Sequence, residues 1–158
     1  ETVTIEHFHI MGKWMLAFTV FWAYIGFSQY MLIWYANIPE ETEYFILRNV
    51  ESWNLLNLLL VIGRFFVPFA ILLLRATKKK PEKLCMVAGW IVCMQILDIY
   101  VVVLPELHRA GVHMSFLDPL PLIGIGATLA FVYLRVAAKS SLFPVRDPRL
   151  IESLRITN

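Results

Sequence analysis

Charged residues are scarce in this chain. Asp, Glu, Lys and Arg make up 16% of its 158 residues, whereas soluble globular domains carry about 25%. The mean hydropathy is +0.66, and 59% of the residues are hydrophobic. A net charge of +2 gives no indication of a nucleic-acid-binding surface. The composition therefore predicts an integral membrane protein.

Cysteine is almost absent as well. The chain has two cysteines, Cys85 and Cys93, and no Cys-x-x-Cys motif. This argues against a structural zinc site and against thioredoxin-type redox chemistry. Both cysteines lie inside an apolar run, so they are predicted to be buried thiols.

Histidine is missing from the centre of every apolar run. His7 and His9 precede the first run, and His108 and His113 lie between the third and the fourth. A helical bundle that holds haem b needs histidine ligands within its helices, so this distribution argues against bound haem b. His108 and His113 are weak candidates for surface metal ligands. The sequence thus predicts neither a metal site nor a catalytic residue in this chain.

Four long apolar runs are present instead. Each reaches the roughly 20 residues that a helix needs to cross a bilayer, and they cover about 14–37, 54–75, 84–104 and 119–138. The third is expected to end before Pro105, and Asp118-Pro119 is a favourable helix start for the fourth. These runs predict an all-α, polytopic membrane protein whose four transmembrane helices are part of a larger helix bundle. Residues 14–138 form its transmembrane domain, residues 1–13 a loop-like N-terminal segment and residues 139–158 a C-terminal tail.

The basic residues indicate an orientation for these four helices. They concentrate in the N-terminal segment, in the loop after the second run and in the C-terminal tail: Lys13; Arg75, Lys78, Lys79, Lys80 and Lys83; Lys139, Arg146, Arg149 and Arg155. The other two loops are acidic, with Arg48 and Arg109 as their strong bases. Because loops rich in Lys and Arg stay in the cytoplasm, both termini are predicted to be cytoplasmic. An even number of spans agrees with that placement.

Polar residues interrupt the first apolar run. Tyr24, Ser28 and Tyr35 recur at helical spacing on one face, and Gln29 lies on a neighbouring stripe with Trp22. Two explanations stay open. These side chains are either interhelical hydrogen-bonding contacts, or a polar lining for protons or for a quinone head group.

The second and third runs carry the charges deepest in the membrane. One face of the second run is polar, with a proline on it: Asn54, Asn57, Val61, Arg64 and Pro68. Arg64 lies near the midplane, where an arginine costs about 2.5–3.5 kcal/mol, so it requires a carboxylate, carbonyl groups or water. The third run holds the one carboxylate within a span, Asp98, one turn after Gln95. Asp98 is expected to be either a structural partner of Arg64 or a protonatable relay residue.

One block of the first run has an unusual composition, and it carries a resemblance. Residues 27–42 read Phe-Ser-Gln-Tyr-Met-Leu-Ile-Trp-Tyr-Ala-Asn-Ile-Pro-Glu-Glu-Thr, and related stretches occur at 12–24, 67–69 and 144–153. With these segments the chain resembles the second quinone-type integral membrane subunit of bacterial alternative complex III, in the polysulfide-reductase-like membrane family. Family subunits are longer, so the chain would correspond to their C-terminal part, after an upstream helix bundle.

The resemblance implies a location, partners and cofactors. The chain would lie in the bacterial inner membrane, beside a homologous quinol-binding subunit, an iron–sulfur subunit and c-type cytochrome subunits. It would bind no redox cofactor itself, while haem c, iron–sulfur clusters and quinone would belong to the partner subunits. The complex would be a quinol:electron acceptor oxidoreductase, in which this subunit supports assembly and proton movement.

Candidate site residues follow from the resemblance and from the membrane-cost argument together. The proposed proton path comprises Gln29, Tyr30, Tyr35 and Glu40 from the block, with Arg64 and Asp98 added because charges in a membrane require a reason. An alternative makes the chain contribute directly to a quinone pocket, with Tyr30, Trp34, Tyr35 and Asn37 as contacts. A third possibility is a stand-alone four-helix transporter or assembly protein.

Overall fold

The computed structural model describes residues 3–109, 111–112, 115–139, 148 and 152, and their regular secondary structure is entirely helical. The elements in chain order are α1 (Ile5–Ala36), α2 (Pro39–Arg48), α3 (Glu51–Val61), a π-helical turn (Ile62–Phe66), α4 (Val67–Leu73), α5 (Arg75–Lys78), α6 (Pro81–Leu107) and α7 (Pro119–Ala137). His113 and most of the tail segment 144–153 lie outside the described residues.

Four helical stretches are long and apolar enough to cross a membrane. They are Ile5–Ala36, Ser52–Leu73, Pro81–Leu107 and Pro119–Ala137. The predicted all-α class and the four candidate spans are therefore confirmed. Large apolar side chains cover the outside of these helices, which fits a bilayer because lipid tails solvate such surfaces.

The chain divides into two compact units, residues 1–112 and residues 113–158. The first contains α1 to α6 and the second contains α7. In the second unit the Ser115 backbone N–H donates to Asp118 Oδ2 at 2.9 Å, which fixes the turn that leads into Pro119. Within α7, Thr128 Oγ1 donates to the Gly124 carbonyl at 2.8 Å, so this hydroxyl is satisfied by its own helix.

The N-terminal segment differs from its prediction. Residues 1–13 were expected to be loop-like, but α1 begins at Ile5. The reason is a local cap: the Thr4 backbone N–H donates to His7 Nδ1 at 3.1 Å, and the Thr4 carbonyl accepts from the His7 backbone N–H at 3.1 Å. The polar first turns do not show the apolar pattern of a span, although they continue the same helix.

The end of α1 leads directly into a short helix that the apolar pattern does not reveal. Asn37 adopts a left-handed conformation, with φ 50°, and its N–H bonds to the Ile33 carbonyl; Asn tolerates this conformation better than most residues. Pro39 then occupies the first turn of α2, followed by Glu40 and Glu41. Proline and acidic residues both favour a helix N-terminus, so α2 begins two residues after the Asn37 cap that ends α1.

The third span passes through Pro105 instead of ending before it, which corrects the predicted boundary. α6 continues to Leu107, although a proline cannot donate to the carbonyl four residues earlier. That carbonyl belongs to Val101, and it accepts from Arg48 Nε at 3.2 Å. Arg48 Nη2 also donates to the next carbonyl, that of Val102. A side chain of α2 thus replaces the hydrogen bond that Pro105 removes.

A second proline is accommodated in the same manner. The Val67 N–H donates to the Ile62 carbonyl, five residues back, which defines the π-helical turn. In that register residue 68 would donate to the Gly63 carbonyl, but Pro68 has no N–H. Trp90 Nε1 of α6 donates to the Gly63 carbonyl instead, at 2.8 Å. The absence of a side chain at Gly63 permits this approach, because a Cβ there would lie 2.8 Å from Met94 Sδ.

The apolar core of the first unit is small. Leu72, Leu84 and Val87 are buried together, and side chains of α1 and α6 surround them: Phe8, Met15, Leu16 and Ile91. Farther along, the fully buried Trp53 donates from Nε1 to the His108 carbonyl at 3.1 Å. This bond ties the start of α3 to the end of α6.

The two cysteines correct another prediction. Cys85 and Cys93 were expected to be buried, but both are exposed. The inward face of α6 carries Leu84, Val87 and Val101, and helical spacing places both cysteines off that face. An apolar neighbourhood in the sequence therefore does not show that a thiol is buried.

The Gly63 carbonyl provides a test of this architecture. Trp90→Phe removes the donor and leaves a buried carbonyl unsatisfied, so we expect the free energy of unfolding to fall by about 1–3 kcal/mol. In a Pro68→Ala background the backbone N–H of residue 68 is able to donate to the Gly63 carbonyl. There, Trp90→Phe should lower the free energy of unfolding by much less. The measurement is a denaturant titration of each variant in detergent micelles.

Trp14→Phe is the matched control, because Trp14 is 62% exposed. An equal cost for Trp90→Phe in both backgrounds would contradict the assigned role of the indole N–H.

Candidate functional site

An amphipathic cleft opens within the first unit, between α1, α2, α3, the π-helical turn and α6. Its volume is about 980 Å³, at the upper end of the range for small-molecule sites. Most of its wall is apolar or aromatic. The polar and charged side chains on the wall are Trp22, Gln29, Tyr30, Tyr44, Arg48, Asn49, Asn57, Arg64 and Asp98.

Trp22 lies at the centre of the polar wall and links three elements. Its Nε1 donates to Asp98 Oδ2 at 3.0 Å, which joins α1 to α6. The Arg64 guanidinium carbon lies 5.3 Å from the centroid of the Trp22 ring, within the range of a cation–π contact. One indole therefore binds the carboxylate through its N–H and the cation through its face.

Arg64 is held by neutral acceptors. Its Nη1 donates to the Ile91 carbonyl at 2.9 Å, and its Nη2 donates to Gln95 Oε1. Arg64 Nε is buried and has no partner in the described part of the chain. The membrane-cost argument required a carboxylate, carbonyl groups or water for this arginine, and the structure supplies a carbonyl and an amide.

Asp98 does not form a direct ion pair with Arg64. Among the described residues, the ion pairs within 4.0 Å are Lys79–Glu6, Arg109–Glu43 and Arg109–Glu106. The hydrogen bond of Asp98 comes instead from Trp22. The carboxylate thus lies on the cleft wall, held by one neutral donor and near a cation that other groups satisfy.

Arg48 occupies the other end of the polar wall and is 8% exposed. Its Nη1 donates to the Tyr44 carbonyl at 2.8 Å, and its guanidinium carbon lies 3.2 Å from the Tyr44 ring centroid. Burial lowers the pKa of Arg48 from its ordinary value, yet an arginine remains protonated in proteins. Its carbonyl accepts from Asn57 Nδ2, so α2 is bound on one side to α3 and on the other to α6.

The two arginines are separated along the cleft. Arg48 contacts α6 at Val101 and Arg64 contacts it at Ile91, positions that are about 15 Å apart by helical rise. Asp98 lies between these two levels. The cleft wall therefore presents a cation, a carboxylate and a second cation in sequence along α6.

The predicted site residues divide into two groups. Gln29, Tyr30, Arg64 and Asp98 line the cleft. The remaining four do not: Tyr35, which is 91% exposed; Glu40, in the first turn of α2; Trp34, whose ring lies edge-on to Tyr30; and Asn37, which caps α1. The block of residues 27–42 thus combines cleft residues with residues that shape the turn.

Several cleft residues were not predicted as site residues. Arg48 counted only as a loop base in the orientation argument, since nothing in its sequence neighbourhood indicates a contact 53 residues away. Trp22 was placed on the stripe of Gln29, and that spacing was the signal that pointed towards the cleft.

Three residues of the predicted polar face point into protein: Asn57 and Arg64, as their bonds to Arg48 and α6 show, and the buried Pro68. The other two, Asn54 and Val61, are exposed.

Comparison with known proteins adds no assignment to this geometry. No protein-family model matches the chain, and no curated protein matches it. Within the part of the chain that the structure describes, no group of three or more His, Cys, Asp or Glu side chains is placed to hold a metal ion. The polar side chains of the cleft can form hydrogen bonds to a bound molecule, and Asp98 adds a carboxylate to its wall.

The role of Arg48 is testable by removing its donors while keeping its length. Arg48→Met leaves the Val101 carbonyl without a donor, so we expect the free energy of unfolding to fall by about 1–3 kcal/mol. Arg109→Met is the matched control, because the side chain of Arg109 is 58% exposed in its pairs with Glu43 and Glu106. Exposed pairs contribute about 0–1 kcal/mol. If a denaturant titration shows that both variants lose the same free energy of unfolding, the role assigned to the Arg48 hydrogen bonds on α6 is contradicted.

Proposed function

We propose that this chain is a cofactor-free membrane subunit of a quinol:electron acceptor oxidoreductase of the alternative complex III type, in which its cleft takes part in proton movement. The observation that carries the proton role is the position of Asp98. Its carboxylate lies within a membrane-crossing helix, on the wall of an open cleft, and its hydrogen bond comes from Trp22. Intramembrane carboxylates are expensive and commonly serve proton transfer.

The proposed relay uses the residues that share the cleft. Asp98 takes up and releases the proton, and Trp22 fixes the orientation of the carboxylate. Arg64 provides a nearby positive charge that is anchored to α6. Gln29 and Tyr30 line the same cleft and offer hydrogen-bonding groups along the approach to Asp98.

Assembly with other subunits is part of the proposal. The partners would be a homologous quinol-binding subunit, an iron–sulfur subunit and c-type cytochromes in the bacterial inner membrane. The support is the resemblance of residues 27–42 together with the exposure of polar rings along α1: Tyr24 is 65% exposed and Tyr35 91%. Polar side chains in a membrane face protein or water far more often than lipid, which favours a neighbouring chain along this helix.

Asp98→Asn tests the relay in the assembled complex. Asn retains an oxygen that can accept from Trp22 but cannot release a proton, so assembly should persist while proton release per quinol falls. The measurements are quinol turnover, proton release and co-purification of multihaem cytochrome and iron–sulfur partners after gentle solubilisation.

Glu106→Gln is the matched control, because Glu106 is an exposed carboxylate near the end of the same helix. Unchanged turnover and unchanged proton release in Asp98→Asn would reject the relay and leave a structural role. Purification of the chain without redox partners would reject the complex and favour a stand-alone protein.

A second candidate is direct contact with the quinone ring. The cleft volume and its aromatic wall favour it, with Tyr30 and Gln29 as hydrogen-bonding groups. A photoreactive quinone should then label the cleft near Tyr30, and Phe65→Ala, which removes a cleft ring, should reduce that labelling. Labelling confined to partner subunits would reject this candidate without affecting the relay.

A further inference from the structure

A second polar cluster lies at the α5 end of the first unit, away from the cleft. His9 and Lys13 lie one turn apart on α1, and Arg75 and Lys78 lie one turn apart on α5. The two helices meet where the side chain of Lys78 packs against Gly12, and His9 is 5% exposed. Basic side chains from two separate elements therefore lie at one junction. We call His9, Lys13, Arg75 and Lys78 the basic cluster.

Close packing positions the basic cluster. A Cβ at Gly12 would lie 2.6 Å from Lys78 Cγ, so the stem of Lys78 occupies the space that a larger residue would fill. Lys78 is consequently 8% exposed, which is unusual for a lysine. Lys79 beside it forms an ion pair with Glu6 at 2.7 Å, and this pair fastens α5 to the first turn of α1.

The surroundings of the basic cluster are strongly positive. Glu6 is the carboxylate that acts on His9, and it is already ion-paired with Lys79. Two buried atoms, Glu6 Oε2 and His9 Nδ1, have no partner among the described residues. Buried polar atoms are nearly always satisfied, so groups beyond the described residues are expected to complete this region.

The cluster lies at the depth of lipid head groups. α5 belongs to the short connection between the candidate spans Ser52–Leu73 and Pro81–Leu107, which places it at a membrane surface. α1 has 32 residues, about 48 Å by helical rise, whereas the hydrocarbon core is about 30 Å thick. The first turns of α1 thus extend beyond the hydrocarbon, alongside α5.

We propose that the basic cluster binds the phosphate of an anionic phospholipid. Lys13, Arg75 and Lys78 supply the positive charge, and the contact with Gly12 holds the stem of Lys78 in place beforehand. This site does not depend on the proposed redox function or on the cleft. It is more specific than a positively charged membrane surface, because the stem of Lys78 is packed while Lys80 and Lys83 are exposed.

The test measures retention of phosphatidylglycerol by the purified protein in its assembly. The protein is reconstituted in phosphatidylcholine nanodiscs that contain phosphatidylglycerol. It is then released from the nanodiscs, and the lipids that remain bound to it are counted by native mass spectrometry. A basic residue near a membrane surface contributes about 1 kcal/mol, so Lys78→Gln should weaken retention about fivefold. Lys13→Gln should have a similar effect. Because Lys13 is exposed, this variant still tests the site if Lys78→Gln, at a buried position, does not fold.

Lys83→Gln is the matched control, since it removes the same charge from the same membrane surface. Equal loss in Lys83→Gln and Lys78→Gln would overturn the proposed site and leave only a diffuse positive surface. Equal retention of phosphatidylcholine would also overturn it. Displacement of the lipid by inorganic phosphate at millimolar concentration would assign the site to a soluble phosphate instead of a lipid.

Discussion

The requirement that every backbone carbonyl find a donor in the absence of water organises the first unit. In hydrocarbon an unsatisfied carbonyl costs several kcal/mol, and two prolines within membrane-crossing helices create that problem. Trp90 solves it for the Gly63 carbonyl and Arg48 solves it for the Val101 carbonyl. Because both donors come from a neighbouring element, each solution also fixes how two elements pack. Each proline thus leaves one carbonyl without its helical donor, and the hydrogen bond that replaces it is a tertiary contact.

The cleft is a consequence of these contacts. Trp90 joins the π-helical turn to α6 at one level, and Arg48 joins α2 to α6 about 17 Å farther along the helix. Between them Trp22 extends from α1 to Asp98, and the space that remains is bordered by aromatic rings. The charged groups of the cleft, Arg48, Arg64 and Asp98, lie where another element offers a carbonyl, an amide or an indole. The small apolar core and the polar bonds therefore stabilise different levels of the same unit.

Several features were predictable because they depend on residues near one another in sequence. The four apolar runs predicted the four candidate spans, and the spacing of Asn57 and Arg64 predicted that both point into protein. Helix boundaries were less predictable: the cap formed by Thr4 and His7 extends α1 into a polar segment, and Arg48 rescues the carbonyl that Pro105 leaves free. When a side chain distant in sequence determines where a helix ends, the residues near that end do not reveal it.

By itself, the sequence determined the class of the protein and the positions of its costly groups. Composition and run length require a helical membrane protein, and Arg64 and Asp98 require partners because a bilayer does not solvate charge. Only the tertiary structure decided which side chains and backbone groups serve as those partners. It paired Asp98 with Trp22 and Arg64 with a carbonyl and Gln95, and it left Tyr35 on an outer surface. The physical reason is that a polar residue marks the inward face of its own helix, but nothing near it in sequence specifies the side chain of another helix that will face it.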